Sequence, residues 1–464
     1  MLKRTLEMLM SLLRPLLATL ALPLLAGPAD PVPPADPAVQ ARLAQWKDRR
    51  FGLFMHWGPY SQWGVVESWS ICPEDHDWNG RRGPVKDRPY AEYKAAYEAL
   101  GTTFHPVKFN PGAWADVAKN AGMKYVVFTT KHHDGFCMWD TATTDYKIAG
   151  SRSPEKRDLT KAVFEAFRAQ DFMIGAYFSK PDWHTPHYWN PAFPPTSRRA
   201  NYDLQRRPQW WQGFVQHTHR QVEELMSNYG KVDILWLDGG WVAPPKEDID
   251  MPGLARMARR HQPGLIVVDR EVHGPQEDYR TPEQQVPDKP LPYPWETCMT
   301  LGDSWSFVPG DNYKSARQMV HTLSRIVSRG GNLLLNVGPG PDGTLDPVAV
   351  SRLQEIGAWM KVHGDAIYGS DAVAPHEQGD LVFTKRKDGV VHALCLLKEG
   401  QAVPATLDLP ASLVPEKATL SLLGQKGRLK ATRDGATVRV ALSPAQQKAL
   451  AGCLAFGVRI QVAG

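Results

Sequence analysis

Short apolar runs alternate between residues 46 and 368 with longer stretches in which apolar positions recur every three to four residues. The short runs predict strands buried on both faces, and the periodic stretches predict amphipathic helices. The predicted strands are 51–56, 125–130, 172–178, 234–237, 265–268 and 332–337, with a weaker one at 298–301. The predicted helices are 107–122, 158–170, 210–229, 254–261, 315–328 and 346–363. Such alternation is typical of parallel βα units.

These units predict a (β/α)8-like barrel over residues 46–368, because polar residues with catalytic potential directly follow the strands. Six clear strands and one weak strand leave open whether the barrel is regular or irregular. Two long segments, 67–97 and 274–294, are expected to be loops over the barrel mouth. Loops of that length are commonly functional.

From residue 369 the pattern changes to short β-type runs separated by turn signals. The runs are 381–384, 390–397, 405–409, 418–423, 437–441 and 454–461. Hairpin turns are predicted at 387–389 and 433–435. We expect an antiparallel β-sandwich over residues 369–464. It would act as a structural support for the barrel or as a sugar-binding module, and we favour the support.

The first residues have the features of an export signal. Lys3 and Arg4 precede an apolar stretch that ends near Ala26, as in a secretory signal peptide. The stretch is too short and too interrupted by proline for a permanent membrane span. We therefore predict a signal peptide at 1–26 and an extended, mobile Pro/Ala-rich leader at 27–45. The protein is expected to be exported, either to the periplasm or to the extracellular space.

Composition narrows the class of partner. The net charge is +5, and no basic run is dense enough to indicate nucleic acid or an anionic membrane. Sixteen tryptophans favour pockets that bind flat apolar faces, including sugar rings. The five cysteines contain no CxxC pair, so neither a zinc knuckle nor a redox motif is indicated. Cys137 and Cys298 are expected to be buried thiols.

Carboxyl groups lie where a glycosidase would need them. Asp238 directly follows the run 234–237, and two glycines leave the space above its carboxylate clear. Arg270 and Glu271 follow another strand, and Glu283 lies in the loop beyond them. A glycosidase needs two carboxyl groups that flank the glycosidic bond. An aspartate that caps a turn and ordinary surface carboxylates are the alternatives.

Three histidines, His56, His132 and His133, also follow strands. They suggest either a metal site or neutral imidazoles that hydrogen-bond vicinal hydroxyls. Adjacent residues on a strand point to opposite faces, and the cluster lacks the HxH and HxxxH spacings. We therefore interpret the histidines as hydroxyl-binding groups and expect neither a metal nor another cofactor.

Several stretches together are distinctive: FGLFMHWG from Phe51, KHHDGFCMWD from Lys131, WLD from Trp236, WET from Trp295 and RGGNLLLNVGP from Arg329. They resemble the α-L-fucosidases of glycoside hydrolase family 29, over about residues 46–370. The resemblance implies a barrel-like catalytic domain, a C-terminal β-sandwich, a retaining mechanism and no metal.

The resemblance also implies roles for individual residues. Asp238 matches the nucleophile, and Glu283 matches the acid/base. The matched substrate-binding positions are His56, Glu67, Trp69, His132, His133, Tyr177, Trp236 and Arg270. The loop that contains Glu67 and Trp69 departs from the Glu-Trp-Tyr pattern that is commonest in the family.

Two other glutamates compete with Glu283 for the role of proton donor. Glu271 directly follows Arg270, whose guanidinium favours the ionised form of a neighbouring carboxyl group. Glu296 lies between Trp295 and Thr297 at the start of the weak strand, where a structural hydrogen bond is the expected role. Glu283 lies in a Pro-rich loop that is expected to reach the leaving-group side, so we prefer it.

The sequence therefore predicts an exported, retaining exo-α-L-fucosidase that acts on fucosylated glycans. One alternative is a related α-glycosidase for another deoxy or galacto-configured sugar. The other is a catalytically silent sugar-binding protein. The presence of both Asp238 and Glu283 argues against the silent protein, because binding alone would not require two carboxylates.

Overall fold

The computed structural model describes residues 34–74 and 80–462. The predicted signal peptide at 1–26 and the first part of the predicted leader lie outside the described residues. Within the described ranges, no helix has both the length and the apolar character needed to cross a membrane.

Seven parallel strands form the main sheet. They are β1 Phe51–Met55, β2 Tyr125–Lys131, β3 Met173–Ser179, β4 Ile234–Asp238, β5 Ile266–Asp269, β6 Glu296–Thr300 and β7 Asn332–Asn336. Their order is β5-β4-β3-β2-β1-β7-β6, and every neighbouring pair is parallel. All the predicted strands of this region are confirmed. The weak one is a full strand of five residues.

Helices connect and surround these strands. They are α1 Pro37–Arg49, α2 Tyr90–Glu98, α3 Pro111–Asn120, α4 Leu159–Arg168, α5 Pro208–Asn228, α6 Met251–His261, α7 Ala316–Ser328 and α8 Pro347–His363. The helices α3 to α8 match the predicted ones. Polar caps define their starts: the Asp158 side chain accepts from the Lys161 N–H at 2.8 Å, and Asp346 accepts from the Val348 N–H at 2.8 Å.

The two faces of the sheet belong to two separate apolar clusters. Side chains such as Phe54, Val127 and Ile234 form an inner cluster, and their neighbours Leu53, Val126 and Leu235 belong to the outer core. Successive strand residues point to opposite faces, so this division means that the sheet curls around its inner cluster. The polar ends of the strands lie at one rim of that curl.

The segment expected to be part of a leader, residues 37–45, is instead the start of helix α1. Its buried residues Val39, Leu43 and Trp46 join the inner cluster. Trp46 stacks on Tyr279 at 4.0 Å between ring centres. The helix covers the amino ends of the strands, because the same cluster contains Tyr125, the first residue of β2. Burial of this apolar face outweighs the Pro/Ala-rich composition.

The described parts of the two predicted mouth loops contain more regular structure than expected. The described part of 67–97 contains a 3₁₀ turn, Glu67–Ile71, and all but the last residue of helix α2. Within 274–294, the Asp278 N–H donates to the Val267 carbonyl of β5 at 2.8 Å. On the other side, the Cys298 N–H of β6 donates to the Pro282 carbonyl at 3.2 Å. Residues 278–284 therefore bridge the two edge strands, and the barrel is irregular at this point.

The C-terminal region forms two antiparallel sheets. Their strands are β8 Ser370–Gln378, β9 Leu381–Arg386, β10 Val391–Cys395, β11 Thr406–Pro410, β12 Ala418–Leu422, β13 Lys430–Asp434, β14 Thr437–Ala441 and β15 Phe456–Val462. One sheet has the order β12-β15-β10-β9-β8, and the other β11-β14-β13. Both predicted hairpins are present, and the strands β8 and β13 and a short helix α9, Pro444–Leu450, are additions to the prediction. The predicted β-sandwich is confirmed.

Candidate active site

A cavity of about 470 Å³ opens at the carboxyl ends of the parallel strands. A volume of this size suits a small ligand. Every residue that the sequence assigns to catalysis or substrate binding lines it: His56, Glu67, Trp69, His132, His133, Tyr177, Trp236, Asp238, Arg270 and Glu283. The structure therefore brings together residues that are far apart in the chain, from His56 to Glu283.

Asp238 is the last residue of β4, and its carboxylate is almost fully surrounded by donors. Oδ1 accepts from Arg270 Nη1 at 2.8 Å and from the Gly239 N–H at 2.7 Å, and Oδ2 accepts from the Tyr177 hydroxyl at 2.7 Å. Burial alone would raise the pKa of Asp238, but the charge of Arg270, the His133 ring and the hydrogen bonds from Tyr177 and Arg270 together outweigh it and hold the pKa well below its usual range. The carboxylate is therefore ionised.

Gly239 has a φ of +88°, and a side chain there would collide with Pro181. The turn after Asp238 therefore requires glycine at position 239, the first of the glycine pair seen in the sequence.

Arg270 joins the two carboxyl groups that the sequence selects. Its Nη1 binds Asp238, and its Nη2 pairs with Glu283. The Glu283 side chain is 36% exposed and that of Asp238 is 11% exposed, so Glu283 is the one nearer solvent. Arg270 Nη2 also lies 3.1 Å from Glu271 Oε1. The argument that a neighbouring guanidinium disfavours Glu271 as a proton donor therefore applies equally to Glu283, and it does not separate the two.

The tautomer of His56 follows from its neighbours. Asn336 donates through Nδ2 to the Trp305 carbonyl at 2.6 Å, which turns its Oδ1 towards His56 Nδ1 at 2.8 Å. His56 Nδ1 is therefore the N–H donor, and Nε2 keeps its lone pair. Burial lowers the pKa of His56 to about 4, so the ring is neutral near pH 7.

His132 and His133 lie in the turn after β2, not on a strand. Their ring centres are 4.2 Å apart and both rings face the cavity, so the expectation that they point to opposite faces is wrong. Ser68 holds His132 Nδ1 at 2.5 Å, and Ser179 holds His133 Nδ1. Burial lowers the pKa of His132 well below its usual value and that of His133 to about 3. Both rings are neutral near pH 7.

Among the described residues, three side chains in the cavity are close enough together to be considered as metal ligands. Ligand atoms of His132, His133 and Asp238 lie within 4.8 Å of one another. However, both Asp238 oxygens already accept hydrogen bonds, and one of these bonds comes from the cationic Arg270. A divalent ion here would face that guanidinium at close range, so the donor set suits a metal poorly.

Glu67 and Trp69 lie on the 3₁₀ turn at the mouth. Glu67 has a φ of +26°, which is rare for a residue with a side chain, and its Oε1 accepts from the Ser306 N–H at 2.7 Å. Burial raises the pKa of Glu67 to about 8, so its carboxyl group is mostly neutral at pH 7. Trp69 lies edge-on to His133 at 5.0 Å.

Glu296 does not line the cavity. It is fully buried in the inner cluster beneath it, where it accepts from the Tyr125 hydroxyl at 2.6 Å and from Trp236 Nε1 at 3.3 Å. Burial raises its pKa to about 7. The expected structural hydrogen bond is therefore present, and it fixes the Trp236 ring in the cavity wall.

Sequence reasoning missed the residues that orient the histidines and those that shape the mouth. Ser68, Ser179 and Asn336 fix the ring nitrogens, and Ser179 and Asn336 carried a signal because both lie at the carboxyl ends of predicted strands. The mouth residues Arg198 and Trp241 also line the cavity. Trp241 follows the glycine pair directly, whereas nothing in the loop around Arg198 distinguishes it.

Comparisons with known proteins all identify α-L-fucosidases as relatives of this chain. The family model for α-L-fucosidase matches residues 29–365. The plasma α-L-fucosidase of Homo sapiens is 30% identical over 380 residues, which are 76% of this chain and 76% of the human protein. The plasma α-L-fucosidase of Pongo abelii is 31% identical over 380 residues, 76% of this chain and 77% of that protein.

Solved structures give the same result. The α-L-fucosidase isoenzyme 1 from Paenibacillus thiaminolyticus superposes with a TM-score of 0.76 at 30% identity, over 92% of this chain and 100% of that chain. The α-fucosidase of Thermotoga maritima, in complex with a mechanism-based inhibitor, has a TM-score of 0.72 at 29% identity. The match covers 89% of this chain and 95% of that chain.

Proposed function

The chain belongs to the α-L-fucosidase family of glycoside hydrolase family 29, and on this basis we propose that it is an exported, retaining exo-α-L-fucosidase. It would release terminal α-L-fucose from fucosylated glycans by double displacement, without a metal or other cofactor. The observation that carries the proposal is the pair of carboxyl groups, Asp238 and Glu283, that share one guanidinium in the cavity.

Asp238 is the nucleophile in this proposal. Its Oδ1 is held by two N–H groups, whereas Oδ2 has only the Tyr177 hydroxyl and lies 3.9 Å from His133 Nε2. We assign the attack on the anomeric carbon to Oδ2. The bond from that carbon to the leaving oxygen breaks as the bond to Oδ2 forms, and Glu283 donates its proton to the leaving oxygen.

Arg270 links the two half-reactions. Esterification removes the charge of Asp238, which leaves Arg270 to pair with Glu283 and the more exposed Glu271. The ionised form of Glu283 is then favoured when it must take a proton from the incoming water. That water attacks the anomeric carbon, the ester bond breaks, and Asp238 is free as a carboxylate again.

The neutral histidines bind the sugar hydroxyls. His56 Nε2 carries a lone pair, so it accepts a hydrogen bond from a hydroxyl group. His132 and His133, fixed through their Nδ1 atoms, present their other ring edges to the cavity. Buried, pre-oriented groups of this kind reject sugars whose hydroxyls do not match, because polar groups would be left unpaired.

Azide rescue tests the mechanism. Asp238→Gly should fold normally and lose several orders of magnitude in kcat, because the covalent route is gone. Azide can enter the vacated side of the sugar, so the activated α-fucoside should give β-fucosyl azide. With the wild-type enzyme, NMR at early times should show α-fucose as the first product. Initial release of β-fucose would mean inversion and would refute the double displacement.

Export is proposed from residues 1–26 alone. N-terminal sequencing of protein from the native host should give a chain that starts after about residue 26. An intact Met1 on cytoplasmic material would refute export without affecting the chemistry.

Full activity after exhaustive EDTA treatment is expected, because the proposed mechanism uses no metal. A loss of activity that one divalent ion restores would favour the metal alternative.

A further inference from the structure

Three planar groups, Trp69, Arg198 and Trp241, form a wall at the cavity mouth that we call the mouth wall. The Arg198 guanidinium lies 4.9 Å from the Trp69 ring centre and 5.3 Å from the Trp241 ring centre. The two tryptophan rings are 5.7 Å apart. All three side chains are half-buried, whereas the histidines and Asp238 are buried. The mouth wall is therefore nearer solvent than the groups that would hold the fucose.

The mouth wall is fixed by its surroundings. Glu74 accepts from the Arg198 N–H at 2.8 Å and from its Nε at 2.6 Å. Trp241 Nε1 donates to the Tyr188 hydroxyl at 3.1 Å, and Tyr188 donates in turn to the buried Glu247 at 3.0 Å. Rings held in this way lose little conformational entropy when a ligand stacks on them.

The mouth wall begins next to the reacting groups. Trp69 and Trp241 both lie edge-on to His133, at 5.0 and 5.1 Å between ring centres. His133 Nε2 is in turn 3.9 Å from Asp238 Oδ2. A substituent that leaves the cavity on the His133 side of a fucose anchored over Asp238 therefore passes the mouth wall. Tryptophan faces and a guanidinium plane are suited to stack on a ring.

The charges around the mouth favour a neutral substituent. The positive charge of Arg198 is offset by Glu74. The carboxylates of Glu271 and Asp303 are exposed and line the same cavity. An anionic group at this position would be repelled by Asp303 and, less strongly, by Glu271, whose charge Arg270 partly offsets.

We propose that the mouth wall is a leaving-group subsite that takes a neutral ring, such as a pyranose or an aryl group, stacked on Trp241 and Arg198. This inference rests on the proposed α-fucosidase activity. It gives the enzyme a preference for uncharged fucosylated saccharides over sulfated ones, and it makes Trp241 and Arg198 specificity-determining residues.

The test compares a substrate that has a ring at this position with one that has none. Trp241→Ala should lower kcat/KM for a neutral fucosyl disaccharide at least tenfold. It should change kcat/KM for α-fucosyl fluoride by less than twofold, because fluoride offers nothing to stack. Arg198→Ala should also lower kcat/KM for the disaccharide more than for the fluoride, but by a smaller factor. Trp241→Phe should retain most of the wild-type kcat/KM for the disaccharide.

Trp210→Ala is the matched control, because Trp210 is half-buried like Trp241 but does not line the cavity. It should leave both substrates unchanged. Activity on the fluoride shows that each variant is folded. Equal losses on both substrates, or no loss on the disaccharide, would overturn the subsite. Failure of the wild type to release fucose from either substrate would instead refute the proposed function.

A sulfated form of the same disaccharide, with the sulfate on the leaving sugar, tests the charge assignment. At low salt the wild type should prefer the unsulfated form several-fold, and both added salt and Asp303→Asn should reduce the preference. Equal or faster turnover of the sulfated form would overturn the assignment to neutral rings.

Discussion

Glu67 is a carboxyl group of the cavity that its surroundings hold neutral at pH 7. Its pKa is raised to about 8 by burial, and Asp238 nearby adds to the effect. The ordinary pKa of a glutamate is about 4.3. Below pH 8 the neutral carboxyl group can donate a hydrogen bond to a sugar hydroxyl, and above it the group becomes a buried anion beside Asp238.

We therefore expect fucose affinity in the wild type to weaken as the pH rises through about 8. In Glu67→Gln, which keeps a neutral donor, the change should be much smaller. Titration calorimetry at pH 6 and pH 9 measures both. Glu277→Gln is a matched control, because burial raises the pKa of Glu277 to about 8 as well and this residue does not line the cavity. If fucose affinity depended on pH equally in wild type and in Glu67→Gln, Glu67 would not be the neutral donor whose ionisation weakens binding.

The raised pKa of Glu67 also affects stability. Between about pH 4.3 and 8 the unfolded chain has released a proton that the folded protein keeps, so stability falls as the pH rises through this window. Glu67→Gln should remove that part of the decrease. Urea unfolding at pH 5 and pH 8 measures the difference between the two proteins.

Glu283 is expected to be the acid/base although it shares Arg270 with Glu271. Glu283→Ala should slow substrates with poor leaving groups far more than activated aryl fucosides, which need little protonation. Azide should restore turnover of the activated substrate and yield α-fucosyl azide, the configuration opposite to that from Asp238→Gly. Glu271→Ala and Glu296→Ala are the comparison variants, and the assignment fails if either shows this pattern while Glu283→Ala behaves like wild type.

At the scale of elements, the sequence was most informative where apolar runs were uninterrupted. Strand β4 is an unbroken apolar run that ends in Asp238, so both its burial and its functional end could be predicted. Residues 278–284 could not, because they hydrogen-bond to two edge strands without an apolar pattern of their own. The pairing of Glu283 with Arg270 depends on that backbone path, and a one-dimensional pattern does not contain it.

Helix α1 was missed for a related reason. Its apolar residues Val39, Leu43 and Trp46 have helical spacing, but they follow a Pro/Ala-rich stretch that is typical of a linker. What stabilises the helix is tertiary packing against the amino ends of the strands. Arg42 adds an ion pair with Asp233, the residue before β4.

Leu43→Ala should therefore lower the free energy of unfolding by about 2–5 kcal/mol, the usual cost of truncating a buried leucine. Gln45→Ala, at an exposed position of the same helix, should change it by less than about 0.5 kcal/mol. Denaturant unfolding at equilibrium measures both. If the segment were a mobile leader, neither Leu43→Ala nor Gln45→Ala would change the free energy of unfolding. Deletion of the residues before Trp46 would not change it either.

At the scale of the whole molecule, the barrel and the sandwich share an apolar core. Val382, Leu394 and Leu396 of the sandwich belong to the same cluster as the barrel helices. Arg317 of α7 donates to the carbonyls of Leu397 and Cys453, both at 2.8 Å. A separate sugar-binding module would not need such a junction, so the support role is favoured.

Arg317→Ala tests whether the junction between barrel and sandwich stabilises the molecule. The substitution leaves partly buried carbonyl groups without a donor, which costs on the order of 1–3 kcal/mol of stability. The kcat/KM for α-fucosyl fluoride should stay unchanged below the unfolding transition, because Arg317 does not line the cavity. Arg352→Ala on α8 is the control: its pair with Glu355 is partly exposed, so it should cost less than about 1 kcal/mol.

Removal of residues 369–464 should give insoluble protein, because the apolar surface of α7 and α8 would be exposed. A truncated barrel that stays soluble and hydrolyses the fluoride, while losing only affinity for longer glycans, would show that the sandwich is a binding module instead.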